Sequence, residues 1–338
     1  MSAPPVLIVP VGDPAGIGPE VAVRATFELR ALASLVLVGD ATRLGARVRE
    51  LGANGRVLPA SAPLVLDAGA IGIVDAGAVG DDVVQARAPS RAGGQAQLAA
   101  LDLAIQAVRD RRADAIVTGP TSKAAINLAG VPFVGQTEHL ARATGLRDDD
   151  VTMLFLGPRL RVALATTHVA VRELASEVTA TRIERAIRHL ARALVALGVD
   201  RPRIVCAGLN PHAGEGGLFG DEDERVLASA VRAAAAQAPF ADAHASLVGP
   251  RPAEAAFRDA VSGRADGVVA MFHDQATIAS KLVDWGEAVN VTWGLPFVRT
   301  SVDHGVAYDA AARGDALADG MKAALLMALR LVASGAPR

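Results

Sequence analysis

The chain has 338 residues, 51% apolar and only 3% aromatic, with a formal net charge of −2 and one cysteine. The near-zero charge argues against a nucleic-acid binder, and a lone Cys206 excludes an internal disulfide or a cysteine-rich metal site. The N-terminal "MSAPPVLIVP" has no basic leader, and no charge-free apolar run reaches the ~20 residues of a membrane span, so a soluble, cytoplasmic chain of about two domains is expected, without membrane or nucleic-acid partners.

The first strand is predicted over Val6 to Val9. It runs into "GDPAGIGPEVA", where Gly12, Gly16 and Gly18 punctuate the passage from strand to helix. The spacing is neither G-x-G-x-x-G nor a P-loop. It reads as a strand-to-helix turn with Pro19 in the first helical turn and Glu20 near the positive helix end, and a phosphate or dinucleotide cradle stays open. Further strands are predicted over Ser34 to Val38, Ala115 to Val117, Arg161 to Ala165, Arg203 to Ala207 and Val268 to Phe272, with alanine-rich helical segments between them. In "TRIERAIRHLARALVALG", Thr181 and Glu184 read as a capping box. Ile183, Ile187, Leu190, Leu194 and Leu197 mark a buried face, and Gly198 stops the helix. Strand–helix alternation predicts an α/β fold of largely parallel character. No linker is visible, which allows a discontinuous domain.

Seven histidines punctuate the chain. His189 falls off the apolar stripe of its helix and is expected to be solvated. His244 carries no motif, and His139 reads as a helix residue. His168 in "RVALATTHV", His212 in "RIVCAGLNPHAGEGG" and His273 in "GVVAMFHDQ" each sit at or just past the carboxyl end of a predicted strand, the edge where α/β sheets gather ligands. Three imidazoles suit a divalent transition metal with positions left open. Asp274 and Glu254 are possible supporting carboxylates. "TGPTSKAAI" offers Thr118, Ser122 and Lys123 at a helix start, an anion site. Lys281, Asn290 and Arg299 offer further polar groups for phosphate or carboxylate.

Taken together, "GDPAGIGPE", "TGPTSKAAINLAG", "GQTEHLA", "TTH", "LNPHAGEGGLFGDED", "MFHDQ" and "NVTWGLPFVRTSVDHG" resemble the 4-hydroxythreonine-4-phosphate dehydrogenases of vitamin B6 biosynthesis and their close relatives, nearly end to end. The resemblance implies the isocitrate/isopropylmalate dehydrogenase-like two-domain α/β fold, not a Rossmann fold. A cofactor-side domain of residues 1–130 plus 300–338 and a metal, substrate and dimerisation domain of 131–299 are expected. The turn with Gly12, Gly16 and Gly18 resembles the superfamily's "GDGIGPE" turn. "DHGVAYDAAARG" resembles its adenosine loop, making His304, Gly305, Ala307 and Asp309 cofactor-side candidates for NAD or NADP. By resemblance the metal ligands (zinc, magnesium or cobalt) fall on His168, His212 and His273. Substrate contacts fall on Gln136, Thr137, Lys281, Asn290 and Arg299, and Lys123 and Lys281 are candidates for proton transfer. The resemblance also implies a homodimer with a shared active site.

The implied reaction is NAD(P)-linked oxidation of 4-phosphohydroxy-L-threonine at C3, followed by decarboxylation to 3-amino-2-oxopropyl phosphate. Two positions depart from the family. Gln136 stands in "GQTE" where "GHTE" is common, and Glu254 stands where "PAD" is common. They make the same chemistry on a threonate or erythronate 4-phosphate, or on a cyclic diol carboxylate, the alternative. An aspartate-metal isopropylmalate or isocitrate dehydrogenase fits the histidines poorly, and a non-catalytic binding protein fits the intact motifs poorly.

Overall fold

A computed structural model describes residues 4–237, 240 and 245–336, so His244 lies outside the described residues. The strands are β1 Val6–Pro10, β2 Ser34–Gly39, β3 Gly55–Leu58, β4 Ile71–Asp75, β5 Ala115–Thr118, β6 Thr152–Leu156, β7 Arg161–Leu164, β8 Arg203–Ala207, β9 Ser246–Arg251, β10 Gly267–Ala270, β11 Val289–Trp293 and β12 Val298–Ser301. The chain divides into two compact units, Met1–Leu146 with Leu295–Arg338, and Arg147–Gly294. The sequence suggested divisions near 130 and 300 instead. Residues 131–146 stay with the first unit because Gln136 bonds Gly119 and Thr121, and His139 bonds Asp102. The segment from 295 stays because β12 pairs in parallel with β5.

In the first unit the strand order is β3-β4-β2-β1-β5-β12, all parallel. Its central strands are buried along their whole length, as expected of parallel strands covered on both faces. Leu7, Ile8, Leu35, Leu37, Ile71, Ile73 and Ile116 are among its fully buried side chains. The chain leaves β1 toward β2 and β4, then reverses to β5. The carboxyl ends of β1 and β5 therefore flank a topological switch point, where such sheets bind ligands.

In the second unit the order is β11-β6-β7-β10-β8-β9. The pairs from β7 to β9 are parallel, but β6 is antiparallel to both neighbours. The predicted parallel character thus fails at β6 and β11. A core of Phe155, Leu160, Val162, Leu164, Val205 and Val268 packs against the helix Ala253–Val261 through Ala256 and Ala260.

The helix Ala180–Ala196 forms where expected, but its cap is Thr179, whose hydroxyl accepts from Arg182 N, rather than Thr181. Gly198, with φ +86°, ends it. His189 on this helix is buried, not solvated. A polar cluster draws it inward: Thr152 Oγ1 lies 2.9 Å from its Nδ1 and accepts Arg185 Nε at 3.1 Å. Among the described residues no helix is long and apolar enough to cross a membrane.

Candidate active site

The glycine turn after β1 is held by the chain's own backbone. A Cβ on Gly12 (φ +83°) would meet Pro120 O at 2.1 Å, one on Gly16 would meet Val306 O at 2.6 Å, and one on Gly18 would meet Val11 O at 2.1 Å. The turn's amides are also used internally: Asp13 N bonds Pro120 O, Gly16 N bonds Asp13 O, Ile17 N bonds Val306 O, and Ala15 N bonds Asp13 Oδ1. Gly12, Gly16 and Gly18 therefore let three backbone segments approach one another. They do not form an open nest of N–H groups.

Asp13 is the hub of this edge. Its buried carboxylate accepts from Ala15 N, from Gln97 Nε2 at 3.0 Å and from the Tyr308 hydroxyl at 2.8 Å. Gln97 Oε1 in turn accepts Ser122 N at 2.8 Å. Burial holds the Asp13 carboxyl above the usual carboxylate range, against the pull of the bonds from Ala15 and Tyr308. Sequence reasoning missed Asp13, Gln97 and Tyr308. The only hint was the acid inside the glycine turn.

The loop that Tyr308 anchors carries the cofactor-side candidates. Ala307 adopts φ +47°, His304 Nδ1 lies 3.1 Å from Gly305 O, and Asp309 is exposed at the start of the helix Tyr308–Arg313. Gly305 is exposed, and a Cβ there would meet nothing within 4 Å. Of the cofactor-side glycines this one leaves open space over its backbone, whereas the turn glycines do not. A small hollow of about 80 Å³ lies against the turn, between the ends of β1, β2 and β4, with Arg43, Arg47 and Arg87 in its lining.

Beside the end of β5, Arg299 of β12 is buried. Its Nη2 donates to Thr118 Oγ1 at 2.8 Å and to Gln136 Oε1. Burial lowers its pKa to about 10, with Glu138 raising it, so the guanidinium stays charged at neutral pH. Gln136 and Thr137 open the helix Gln136–Ala143. Lys123 is exposed at the first position of the helix Lys123–Leu128, capped by Ser122. Gln136, Thr137, Lys123 and Arg299 belong to the first unit, whereas Lys281 and Asn290 belong to the second.

In the second unit, parallel pairing of β7 with β10 brings two histidines together. Beyond the register pair Leu164 and Ala270, Thr166 bonds Met271 O through both N and Oγ1. The His168 and His273 rings then stand 5.6 Å apart, centroid to centroid, tilted by 38°. Two imidazoles sharing one tetrahedral metal have centroids ~5 Å apart, given metal–nitrogen bonds of ~2 Å, so this spacing fits a metal. His273 Nδ1 lies 2.7 Å from Asp274 Oδ1. With Nδ1 on that carboxylate, Nε2 is the ring nitrogen that could take a metal, and a carboxylate behind the imidazole is the usual support of such a ligand.

His212 is not with them. Among the described residues no group of three or more His, Cys, Asp or Glu converges as a metal site. His212 instead sits exposed on a left-handed stretch in which His212, Ala213, Gly214, Glu215 and Gly216 all have positive φ. Three of these are not glycine, at ~1–2 kcal/mol each. The buried Asp223 carboxylate holds the chain just before this stretch by accepting Leu209 N at 2.8 Å and Asn210 N at 2.9 Å. Gln275 ties the same edge together: its Oε1 accepts Met271 N and its Nε2 donates to Gly208 O. Asp223 and Gln275 were legible only as letters of "GDED" and "HDQ". Glu254 is exposed on its helix.

Two α/β units, parallel at their centres, carry the loops of the dehydrogenase-like motifs on their strand edges. A family model described as pyridoxal phosphate biosynthetic protein PdxA matches residues 31–328. The chain is 40% identical over 331 residues to a 4-hydroxythreonine-4-phosphate dehydrogenase of Geobacter metallireducens, covering 97% of this chain and 95% of that one. It is 36% identical over 340 residues to a Cutibacterium acnes protein provisionally named D-threonate 4-phosphate dehydrogenase, covering 97% and 94%. The crystal structure of the 4-hydroxythreonine-4-phosphate dehydrogenase from Klebsiella pneumoniae superposes with a TM-score of 0.79 at 34% identity, covering 97% and 99%. An isocitrate dehydrogenase from Methylococcus capsulatus, with a TM-score of 0.51 at 16% identity, shares the fold, covering 97% and 86%. The chain belongs to the PdxA family.

Proposed function

We propose that the chain is a metal-dependent, NAD(P)-linked dehydrogenase that oxidises 4-phosphohydroxy-L-threonine at C3, with decarboxylation to 3-amino-2-oxopropyl phosphate. The observation that carries this is the His168–His273 pair with Asp274 behind it, on a chain whose close relatives carry that dehydrogenase name. His168, His212 and His273 would hold the metal. When bound, the metal supplies a Lewis acid at the substrate hydroxyl and the nicotinamide supplies the hydride acceptor. The open backbone at Gly305 and the loop through Asp309 would face the dinucleotide, and Tyr308 on Asp13 keeps that loop in place. Arg299, charged and buried, would grip the phosphate or carboxylate end, with Thr137, Lys281 and Asn290 as further contacts. Lys123 or Lys281 would move the proton.

A second copy of the chain is part of this reading. Within one chain only two of the three imidazoles are neighbours. The helix His273–Val283 and the turn after it also expose Ile278, Leu282 and Trp285, 60%, 81% and 81% accessible, an apolar stripe of the kind that docks on a partner. The alternative, oxidation of a threonate or erythronate 4-phosphate, is favoured by the relative provisionally named for D-threonate 4-phosphate.

The test is NAD and NADP reduction over phosphorylated four-carbon hydroxy acids, with zinc, cobalt or magnesium added after chelation. Reduction with 4-phosphohydroxy-L-threonine and not with threonate 4-phosphate supports the first reading, and the reverse supports the alternative. Full activity after exhaustive chelation overturns the metal-dependent reading.

A further inference from the structure

We infer that Gln136 serves the reaction by fixing the guanidinium of Arg299, and that it does not itself bind the substrate. The inference rests on the reading above in which Arg299 grips an anionic end of the substrate. Gln136 Nε2 donates to Gly119 O at 3.1 Å and to Thr121 Oγ1 at 3.0 Å, and its Oε1 accepts from Arg299 Nη2. The amide orientation is set by its neighbours, because a carbonyl oxygen only accepts and a guanidinium only donates. A side-chain amide has two hydrogens, and both are engaged. What is left on Gln136 is lone-pair capacity on Oε1, which cannot hold an anion.

Arg299 gains a defined pose from the arrangement. Its Nη2 edge is tied to Thr118 at the end of β5 and to Gln136 at the start of a helix. Rotation of the guanidinium would break both bonds. An imidazole at position 136 brings two ring nitrogens to three partners, and in its protonated form it sets a like charge against Arg299. Glutamine satisfies all three partners without charge. It therefore holds the Nη2 edge of the anion grip with neutral groups, while Glu138 places its charge near the same guanidinium, and this chain's choice at position 136 sets substrate selection through Arg299.

A double-mutant cycle tests this. Gln136→Met keeps the length of the side chain and removes all three bonds. Its effect on KM for the phosphorylated hydroxy acid is measured in the wild-type background and in Arg299→Lys. We expect a rise in KM of ~10-fold or more, larger than the fall in kcat, in the wild-type background. In Arg299→Lys the same change should alter KM less than ~2-fold, because the pose it protects is gone. An equal effect in both backgrounds overturns the inference.

A second readout needs no turnover. The Arg299 guanidinium resonance in nitrogen-15 spectra should be sharp and slowly exchanging in wild type and broadened in Gln136→Met. An unchanged resonance overturns the inference even if activity is lost. Should Gln136→Met not fold, Gln136→Asn, too short to span the three partners, is read the same way. If the wild-type chain oxidises none of the phosphorylated acids, the proposed function falls, and the resonance still decides the role of Gln136.

Discussion

Replacing Gly16 with alanine separates two roles for the glycine turn. If Gly16 exists to let a dinucleotide come close, Gly16→Ala should leave the fold intact and raise the cofactor KM. The structure argues otherwise. The new methyl would lie 2.2 Å from Val306 Cγ1 and 2.6 Å from Val306 O. The valine methyl can rotate away, but the carbonyl cannot without breaking its bond from Ile17 N, 3.0 Å long. Forcing a methyl group into a packed contact costs ~1–3 kcal/mol, and losing the Ile17 bond adds ~1 kcal/mol. Shifting Val306 would also drag Tyr308 from Asp13, two positions on. We expect a loss of about 2–4 kcal/mol, read by urea unfolding with circular dichroism and tryptophan fluorescence at fixed m-value. A variant within about 0.5 kcal/mol of wild type, with only the cofactor KM raised, would refute the packing argument.

Three further outcomes are expected. Burial and the nearby Arg188, Arg185 and Arg192 lower the His189 pKa to about 3, so between its ordinary value and that value the unfolded chain binds a proton the folded chain does not. His189 therefore costs stability as pH falls, by about 2 kcal/mol at pH 5. The stability gap between wild type and His189→Gln should close by that amount from pH 7 to 5, and a constant gap would contradict the assignment. Asp274→Asn removes the carboxylate from His273 Nδ1 and should weaken zinc binding ~10–100-fold by calorimetry; equal affinity would remove Asp274 from the metal site. Cys206 is fully buried, with its thiol pushed up to about 12, so a disulfide reagent should label it only on unfolding, and rapid labelling of the native chain would show the second unit's core to be open.

How much of this was legible in the sequence follows from which interactions are local. Central strands such as β1, β2 and β8 show themselves because both faces are covered and the apolar run is unbroken. The edge strand β9 escaped because its burial is only partial and its sequence, "SLVGPR", carries a glycine and a proline. β11 and β12 were read as carriers of polar site groups, since Asn290 and Arg299 sit within them, and their strand character was missed. The strand-end histidines were legible because the carboxyl edge of a sheet is a position that chain order alone defines. Their mutual distance was not, because it depends on which strands pair: β7 lies beside β10, which puts His168 against His273, while His212 leaves β8 on a left-handed stretch that no periodicity announces.

Polar partners far apart in sequence were the least legible of all. His189 looks solvated on a helical wheel, since the wheel places it off the apolar stripe. It is buried because Thr152, on the strand β6, supplies a hydroxyl that no local pattern can show. Gln136 follows the same logic. Read alone, it is a departure from a motif and a reason to doubt the substrate. Read beside Gly119, Thr121 and Arg299, its amide is the one side chain of that length that can donate twice and accept once without charge. On the inference above, the motif letter at position 136 reports on the company Arg299 keeps, and a change of substrate would show itself in how that arginine is held.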